Sequence, residues 1–360
     1  MKFRKIVSPI VALVLTLTLP LAASAAASYR DVLDTPARDS AFAAKSLLNG
    51  VANAGQRIVA VGQRGHIVYS DDGGKTWVQA KVPVSSDLVA VSFPTPAKGW
   101  AVGHDGVVLH TADAGATWVR QLDGRSAGQL MADYYTAKAG SGALGSPDAA
   151  AGLVSEAERI AAQGAENSFL DVWFADENNG FIVGAFNLLF RTTDGGKTWE
   201  PWFHRTDNPN RLHLYAIRQV GGNLYLAGEQ GLVLKLDQTT GKFSALDTGY
   251  KGSFFGITGS GDAVMVFGLR GNVFRSVDGG RNWQKVATGL QDAVTGAADC
   301  GERRLVLVSQ AGRMLVSDDG GESFRQVKQE QPAPASAVAC LGKDAAMIAG
   351  ARGVRAQAIQ

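Results

Sequence analysis

The chain has 360 residues, 46% of them hydrophobic and 19% charged, so it can bury a substantial core and does not have the composition of a disordered chain. Its 35 basic and 33 acidic residues nearly cancel, and setting aside Lys2, Arg4 and Lys5 leaves no basic footprint for nucleic acid. Two cysteines exclude a disulfide framework or a multi-cysteine zinc module, while 44 glycines, well above the roughly 7% usual share, point to many tight turns.

Residues 1–25 read as a signal peptide. Lys2, Arg4 and Lys5 form a positive start, Ile6 to Leu21 is almost unbroken apolar sequence, and Ala23-Ser24-Ala25 is a small-x-small cleavage site. The apolar run is short for a membrane anchor, no Cys lies near the cleavage site, and no twin-Arg pair precedes the run. The alanine-rich end has a bacterial look, so cleavage near Ala25 and export to the periplasm are expected, with no membrane insertion of the remaining chain. Residues 26–45 form a leading segment before the repeats begin.

From residue 46 to 360 the sequence repeats. One phrase is Ser70-Asp-Asp-Gly-Gly-Lys-Thr-Trp77, and it returns around Asp113 and Trp118, Asp194 and Trp199, Asp278 and Trp283, and Asp319 and Phe324. A decayed copy runs from Leu236 to Phe243. The chemistry is that of a hairpin turn: the Asp caps backbone N–H groups, the glycines reach positive φ, and the aromatic residue starts the return strand and packs inward. A second phrase precedes each turn, an apolar residue followed by Gly. It falls at Val61-Gly62, Val102-Gly103, Val183-Gly184, Ala227-Gly228, Phe267-Gly268, Val308-Ser309 and Ala349-Gly350. The copies recur at roughly forty residues, with one interval twice that. Alternating stretches between them, such as Leu88 to Phe93, predict four short strands per unit. Seven such units predict an all-β, seven-bladed β-propeller.

The doubled interval holds an insertion, 124–164. Leu130, Met131, Tyr134 and Tyr135 share one helical face, Ser146-Pro147 suits an N-cap and first turn, and Leu153, Ala157 and Ile160 stripe a second helix. A helical hairpin in the link between blades 2 and 3 is expected. The last unit stops after its third strand, and a stretch near Tyr29 to Leu33 is expected to supply the fourth. Cys300 and Cys340 lie near the ends of the first strands of blades 6 and 7. A disulfide between adjacent blades and two separate small core residues are both open readings.

The repeated turn resembles the Asp-box of BNR-repeat propellers, where it is structural and not catalytic. With the Val-Gly-x-x-Gly phrase and the stretch Asp207 to Ala216, the chain is similar to the photosystem II assembly/stability factor-like family. That resemblance implies a secreted, non-enzymatic, chaperone-like factor that binds a subunit of a membrane complex. Topology puts the Asp turns on one face and the Gly-phrase loops, with the links between blades, on the other. The second face gathers Arg64, Arg270 and Arg352 at equivalent positions, with His204, Arg205, Asn208, Arg211 and His213 on the Trp202 to Leu212 link and just after it. Guanidiniums suit a carboxylate-bearing segment through paired, charge-assisted hydrogen bonds, although exposed loops also simply tolerate Arg.

Two other readings stand beside this one. A glycan-binding or sialidase-like hydrolase would need a Tyr nucleophile, a Glu partner and an acid at one mouth, for which Tyr134, Tyr135, Tyr215, Glu229 and Asp105 are the material. An accessory partner of an envelope transporter is the other. The five histidines have no metal-ligand spacing, and no cofactor is implied. Gly140 to Gly145 matches a nucleotide-loop pattern but follows no strand. The chain is read as a monomer engaging a periplasmic segment of a membrane-protein complex.

Overall fold

The computed structural model describes residues 30–359, so the signal-peptide segment, Tyr29 and Gln360 lie outside it. Each repeat folds into one antiparallel sheet whose strands pair in chain order. There are seven sheets, numbered here in chain order; the first six have four strands and the seventh has three. In sheet 1, Leu48–Ala54 turns at Gly55 into Arg57–Gly62, which pairs with Ile67–Ser70 and then with the short edge strand Val78–Gln79. The second strand of every sheet is buried along nearly its whole length. Those strands read as continuous apolar runs because both of their faces are covered by neighbouring sheets.

The first strands carry the architecture. They are Leu48–Ala54, Leu88–Ser92, Phe169–Phe174, Leu214–Val220, Phe254–Ser260, Val294–Asp299 and Ala335–Leu341. Each touches the first strand of the next sheet, and the last touches the first, so the seven form a cycle. All seven have a register irregularity where the first strand faces the end of the second. Such bulges add local twist. Small residues then let the strands approach. A Cβ at Gly296 would stand 2.9 Å from the Ala337 Cα, a separation that any larger residue would have to open.

The Asp turns form as the sequence implies. Asp72 Oδ1 accepts from the Ser70 hydroxyl at 2.8 Å, the Lys75 N–H at 3.0 Å and the Thr76 N–H at 2.9 Å, while Oδ2 accepts from the Thr76 hydroxyl at 2.7 Å. These donors hold its carboxyl far below the usual range. Trp77, Trp118 and Trp283 each donate their indole N–H to the carbonyl of the second turn residue, Gly74, Gly115 and Gly280. Trp199 and Phe324 occupy the same place; Asp278 and Asp319 repeat the bonding of Asp72, and Asp113 and Asp194 repeat it without the bond from the N–H three residues on.

The start of the stretch expected to supply the fourth strand of sheet 7, Tyr29, lies outside the described residues. From Asp31 onward the leading segment pairs with no strand of that sheet. It runs beside sheet 1: Ser85 donates to the Val32 carbonyl at 2.8 Å, Ala37 to the Val82 carbonyl at 3.1 Å, and Ser40 to the Gln79 amide oxygen at 2.8 Å. Leu33 is buried with Val82, Val84 and Val107. The physical reason is an apolar anchor with a better pocket between sheets 1 and 2 than an exposed edge offers. Asp34 adds a two-bonded ion pair to Arg125 at the start of the insertion.

The insertion is a helical hairpin, α1 (Gly124–Lys138) and α2 (Pro147–Gln163). Asp123 caps α1, with Ser126 returning the bond, and Ser146 caps α2 with Pro147 in its first turn. Met131, Tyr135, Ala157 and Ile160 pack with Trp100, Phe169, Phe190 and Trp199 of sheets 2 and 3 in one core. Among the described residues no helix is long and apolar enough to cross a membrane.

Candidate functional site

The Gly-phrase turns are built on left-handed backbone. Arg64, Asp105, Phe186, Gln230 and Arg270 have φ between 52° and 58°. Gly65 follows at φ 70°, and a Cβ there would stand 2.2 Å from the Val84 carbonyl oxygen. The turn therefore needs Gly and leans on the link leaving its own sheet. The turns also bond to the link that enters their own sheet: Gln63 donates to the Leu47 carbonyl, Leu269 to Ser253 and Ala351 to Pro334. Turns and links thus share one end of the sheets, as the topology implied.

Arg64, Arg270 and Arg352 are exposed on that end. Salt bridges among the described residues engage other arginines, including Arg57, Arg125, Arg211, Arg218 and Arg304, and leave these three side chains unpaired. The link residues divide differently. His204 accepts or shares a hydrogen bond with the Tyr135 hydroxyl at 3.1 Å, and burial, then Arg205, push its imidazole down to about 4. Arg205 lies over the Trp202 ring, 4.9 Å from its centre. Asn208 is buried, its amide bonded to Asn187 and to the Leu212 carbonyl, both at 2.9 Å. Arg211 pairs with Glu156 of α2 and covers Phe203. His213 accepts from the Phe186 N–H at 2.8 Å. His204 and Arg211 bond to the helical hairpin, through Tyr135 and Glu156, and Asn208 holds the link itself, while Arg211 remains exposed.

Two features escaped the sequence reading. The first strands enclose a central cavity of about 490 Å³ whose lining includes Asn49, Asp171, Tyr215, Arg218, Phe255 and Thr295. Asp171 is 4% exposed, accepts from the Ile217 and Val172 N–H groups at 2.9 Å, and is paired with Arg218. Burial pushes its carboxyl up, against the pull of the Arg218 guanidinium. The signal was a charge on a first strand, where neighbouring copies have small or apolar residues. The other feature is an aromatic series. Phe186, 47% exposed, lies 4.6 Å from His213, which leads through Tyr215 to Phe255 in the cavity wall. Its mark in the sequence is Phe186-Asn187, where the other copies have Arg-Gly, Asp-Gly, Gln-Gly or Ala-Gly.

Cys300 and Cys340 are joined by a disulfide with Cα atoms 5.5 Å apart, tying sheet 6 to sheet 7. Among the described residues no cluster of His, Cys, Asp and Glu is arranged to hold a metal.

Cyclic antiparallel sheets closed by Asp turns define a BNR-type β-propeller. The family described as photosynthesis system II assembly factor YCF48 matches residues 46–132 and 153–304, more than half of the chain, and the chain belongs to that family. The photosystem II assembly lipoprotein Ycf48 of Synechococcus sp. (strain CC9902) is 28% identical over 163 residues, 44% of this chain and 49% of that protein. The photosystem II assembly protein Ycf48 of Thermosynechococcus vestitus is 27% identical over 130 residues, 35% of this chain and 36% of that protein. The chain thus spans about half or less of the length of these curated relatives. Among solved structures, one described as YCF48 bound to D1 peptide superposes with a TM-score of 0.64 at 16% identity, covering 88% of this chain and 94% of that one. YCF48 from Cyanidioschyzon merolae gives 0.62 at 16%, covering 90% and 98%. The Synechococcus relative is called a lipoprotein; the two cysteines of this sequence, Cys300 and Cys340, are bonded to each other.

Proposed function

We propose that the seven sheets are the blades of one closed seven-bladed propeller, and that the protein is a non-enzymatic periplasmic assembly factor. In this reading it engages an extended, carboxylate-bearing segment of an inner-membrane protein complex on the face carrying Arg64, Arg270 and Arg352. One observation carries the reading: three exposed guanidiniums without internal partners share one face of a fold common to a YCF48 solved with a D1 peptide. Unpaired arginines on tight turns, left-handed at Arg64 and Arg270, are preorganised for two-point contacts with carboxylates. Phe186 and the aromatic series behind it supply apolar area beside them. The link residues contribute indirectly, by fixing the helical hairpin at the edge of that face.

The hydrolase reading draws no support from the mouth. Tyr215 lies there with Glu229, but burial and that carboxylate push its phenol up, the wrong direction for a nucleophile. The three arginines do not line the cavity that Tyr215 faces.

The test is affinity recovery of the tagged protein from crosslinked native envelopes, beside an Arg64→Glu, Arg270→Glu, Arg352→Glu variant of unchanged fold. Enrichment of one membrane protein by the wild type, lost in the variant, is expected. Equal recovery by both sinks the arginine assignment, and enrichment of nothing sinks the assembly-factor reading.

A further inference from the structure

Among the described residues, sheet 7 lacks the fourth strand that every other sheet has. Its last strand, Gly353–Ala358, pairs with Ala345–Gly350 and with no other described strand on its outer side. The two-residue turn at Ala351 and Arg352 sets Gly350 opposite Gly353, which makes that pair the first to exchange hydrogen bonds. By the alternation of an antiparallel ladder, Arg355 and Gln357 then bond inward, while Val354, Ala356 and Ala358 direct their N–H and C=O groups outward. No backbone group among the described residues bonds to them, and the Ala358 carbonyl accepts only from the Gln357 side-chain amide, at 3.1 Å. The leading segment reaches this strand near Gly353, where a Cβ would meet the Ala44 carbonyl oxygen at 2.0 Å, and then continues into sheet 1.

We propose that this edge takes a fourth strand from an extended, acidic segment of a partner polypeptide. Exposed edges are usually blunted by Pro, by Lys, or by a covering helix or loop. This one has no Pro and no Lys, and it presents the small exposed side chains of Ala356 and Ala358. The charge beside it is positive. Arg352 opens the strand, Arg355 stands at its centre with a buried Nη1 that has no hydrogen-bond partner, and Arg325 reaches the Ile359 carbonyl from the neighbouring sheet. The Gln329 amide nitrogen is also buried without a partner. The nearby carboxylate of Asp318 is already shared between Arg304 and Arg325. Donors outnumber acceptors, so an incoming strand with carboxylates gains bonds that an apolar or basic strand does not. A second copy of this chain fits poorly, because it would bring two further arginines, its own Arg352 and Arg355, onto one short ladder. Main-chain pairing gives such a contact its affinity and the side chains give it selectivity.

The edge shares Arg352 with the arginine face, but its ladder is separate from Arg64 and Arg270, which belong to other sheets. Fluorescence anisotropy of the full chain with a labelled peptide of alternating Glu and Val, against one of alternating Lys and Val, tests it. The acidic peptide binds and the basic one does not. Ala356→Pro removes an outward N–H while sparing every bond of the sheet's own ladder, so it keeps the wild-type melting temperature and weakens binding at least about tenfold. Arg355→Glu shifts preference toward the basic peptide, and in an Arg64→Glu, Arg270→Glu background, which removes binding at the arginine face, Ala356→Pro still weakens the binding that remains. Equal binding by wild type and Ala356→Pro overturns the proposal, as does failure of wild type to bind the acidic peptide. A concentration-dependent dimer lost in Ala356→Pro would reassign the edge to a second copy. Binding seen only in a chain starting at Asp31 would reassign it to the protein's own first residues.

Discussion

His204 spends its imidazole on the protein's own architecture. Its ring sits edge-on to Tyr135, shares a hydrogen bond with that hydroxyl, and is held neutral by burial and by Arg205. In an unfolded chain the same imidazole titrates near 6.5, whereas here it is pushed down to about 4. Between those values the unfolded chain binds a proton that the folded chain refuses, so stability is fully present above about 6.5 and declines as pH falls toward about 4. Allowing for partial exposure, the loss is about 1–2 kcal/mol. A His204→Gln variant keeps an acceptor for Tyr135 and cannot titrate. Urea unfolding of both at about pH 7.5 and about pH 4.5 should show the wild type losing more stability than the variant by that amount. Parallel losses would rule out His204 as the group responsible.

At the scale of elements, the helical hairpin shows what one missing methyl can do. Gly128 of α1 faces α2 so closely that a Cβ would stand 2.8 Å from the Ala161 Cα, which is backbone and cannot swing aside. Gly152 of α2 has nothing near it. Helix propensity alone predicts a gain of up to about 1 kcal/mol from Ala at either position. Overpacking against a fixed backbone costs about 1–3 kcal/mol, so at Gly128 the packing term wins. Gly152→Ala should slow amide exchange in both helices, and Gly128→Ala should speed it while the sheets keep their protection. If both substitutions slow exchange, the close approach is not tight. The hairpin itself was legible, because Ser146-Pro147 and the Leu153, Ala157, Ile160 stripe are local signals. So were the Asp turns, where one carboxylate and two glycines encode the whole geometry within eight residues. What joins distant segments was not legible. Glu156 is buried between Arg159 and Arg211, which outweigh the upward push of burial and hold its carboxyl below the usual range. Nothing within α2 announces Arg211 as a partner. The same holds for Asp171 with Arg218, and for Leu33, whose pocket is assembled from residues of both sheets 1 and 2, out to Val107. A count of strands suggested a clasp for sheet 7, but a count carries no information about where an apolar anchor finds its pocket.

At the scale of the whole molecule, the missing clasp changes what holds the cycle shut. Many-sheet cycles are sealed when one sheet draws strands from both chain ends, so that opening the ring breaks a hydrogen-bonded ladder. Here no described residue from the chain's beginning joins sheet 7, and the seam between sheets 1 and 7 is side-chain packing of Ala43, Leu48, Ala60, Val68 and Ala349 with Trp77 against them, plus one hydrogen bond from the Asn53 amide to the Cys340 carbonyl. Trp77 is its one large aromatic, whereas several Phe and Trp rings fill the joint between sheets 2 and 3, so the seam buries less apolar area. The Cys300–Cys340 bridge sits one joint away and closes a loop with a sequence separation of 40. It ties the three-stranded sheet to its better-formed neighbour, and a loop of that length is worth up to about 4 kcal/mol through the entropy of the unfolded chain. Reduction should therefore lower the guanidinium midpoint, and a Cys300→Ser, Cys340→Ser chain should match the reduced wild type. Amide exchange should rise first in sheet 7 and along its seam with sheet 1, ahead of sheets 2 and 3. Uniform acceleration across all seven sheets would mean that the bridge acts on the unfolded chain alone. An unchanged midpoint would mean that packing at the seam suffices without it.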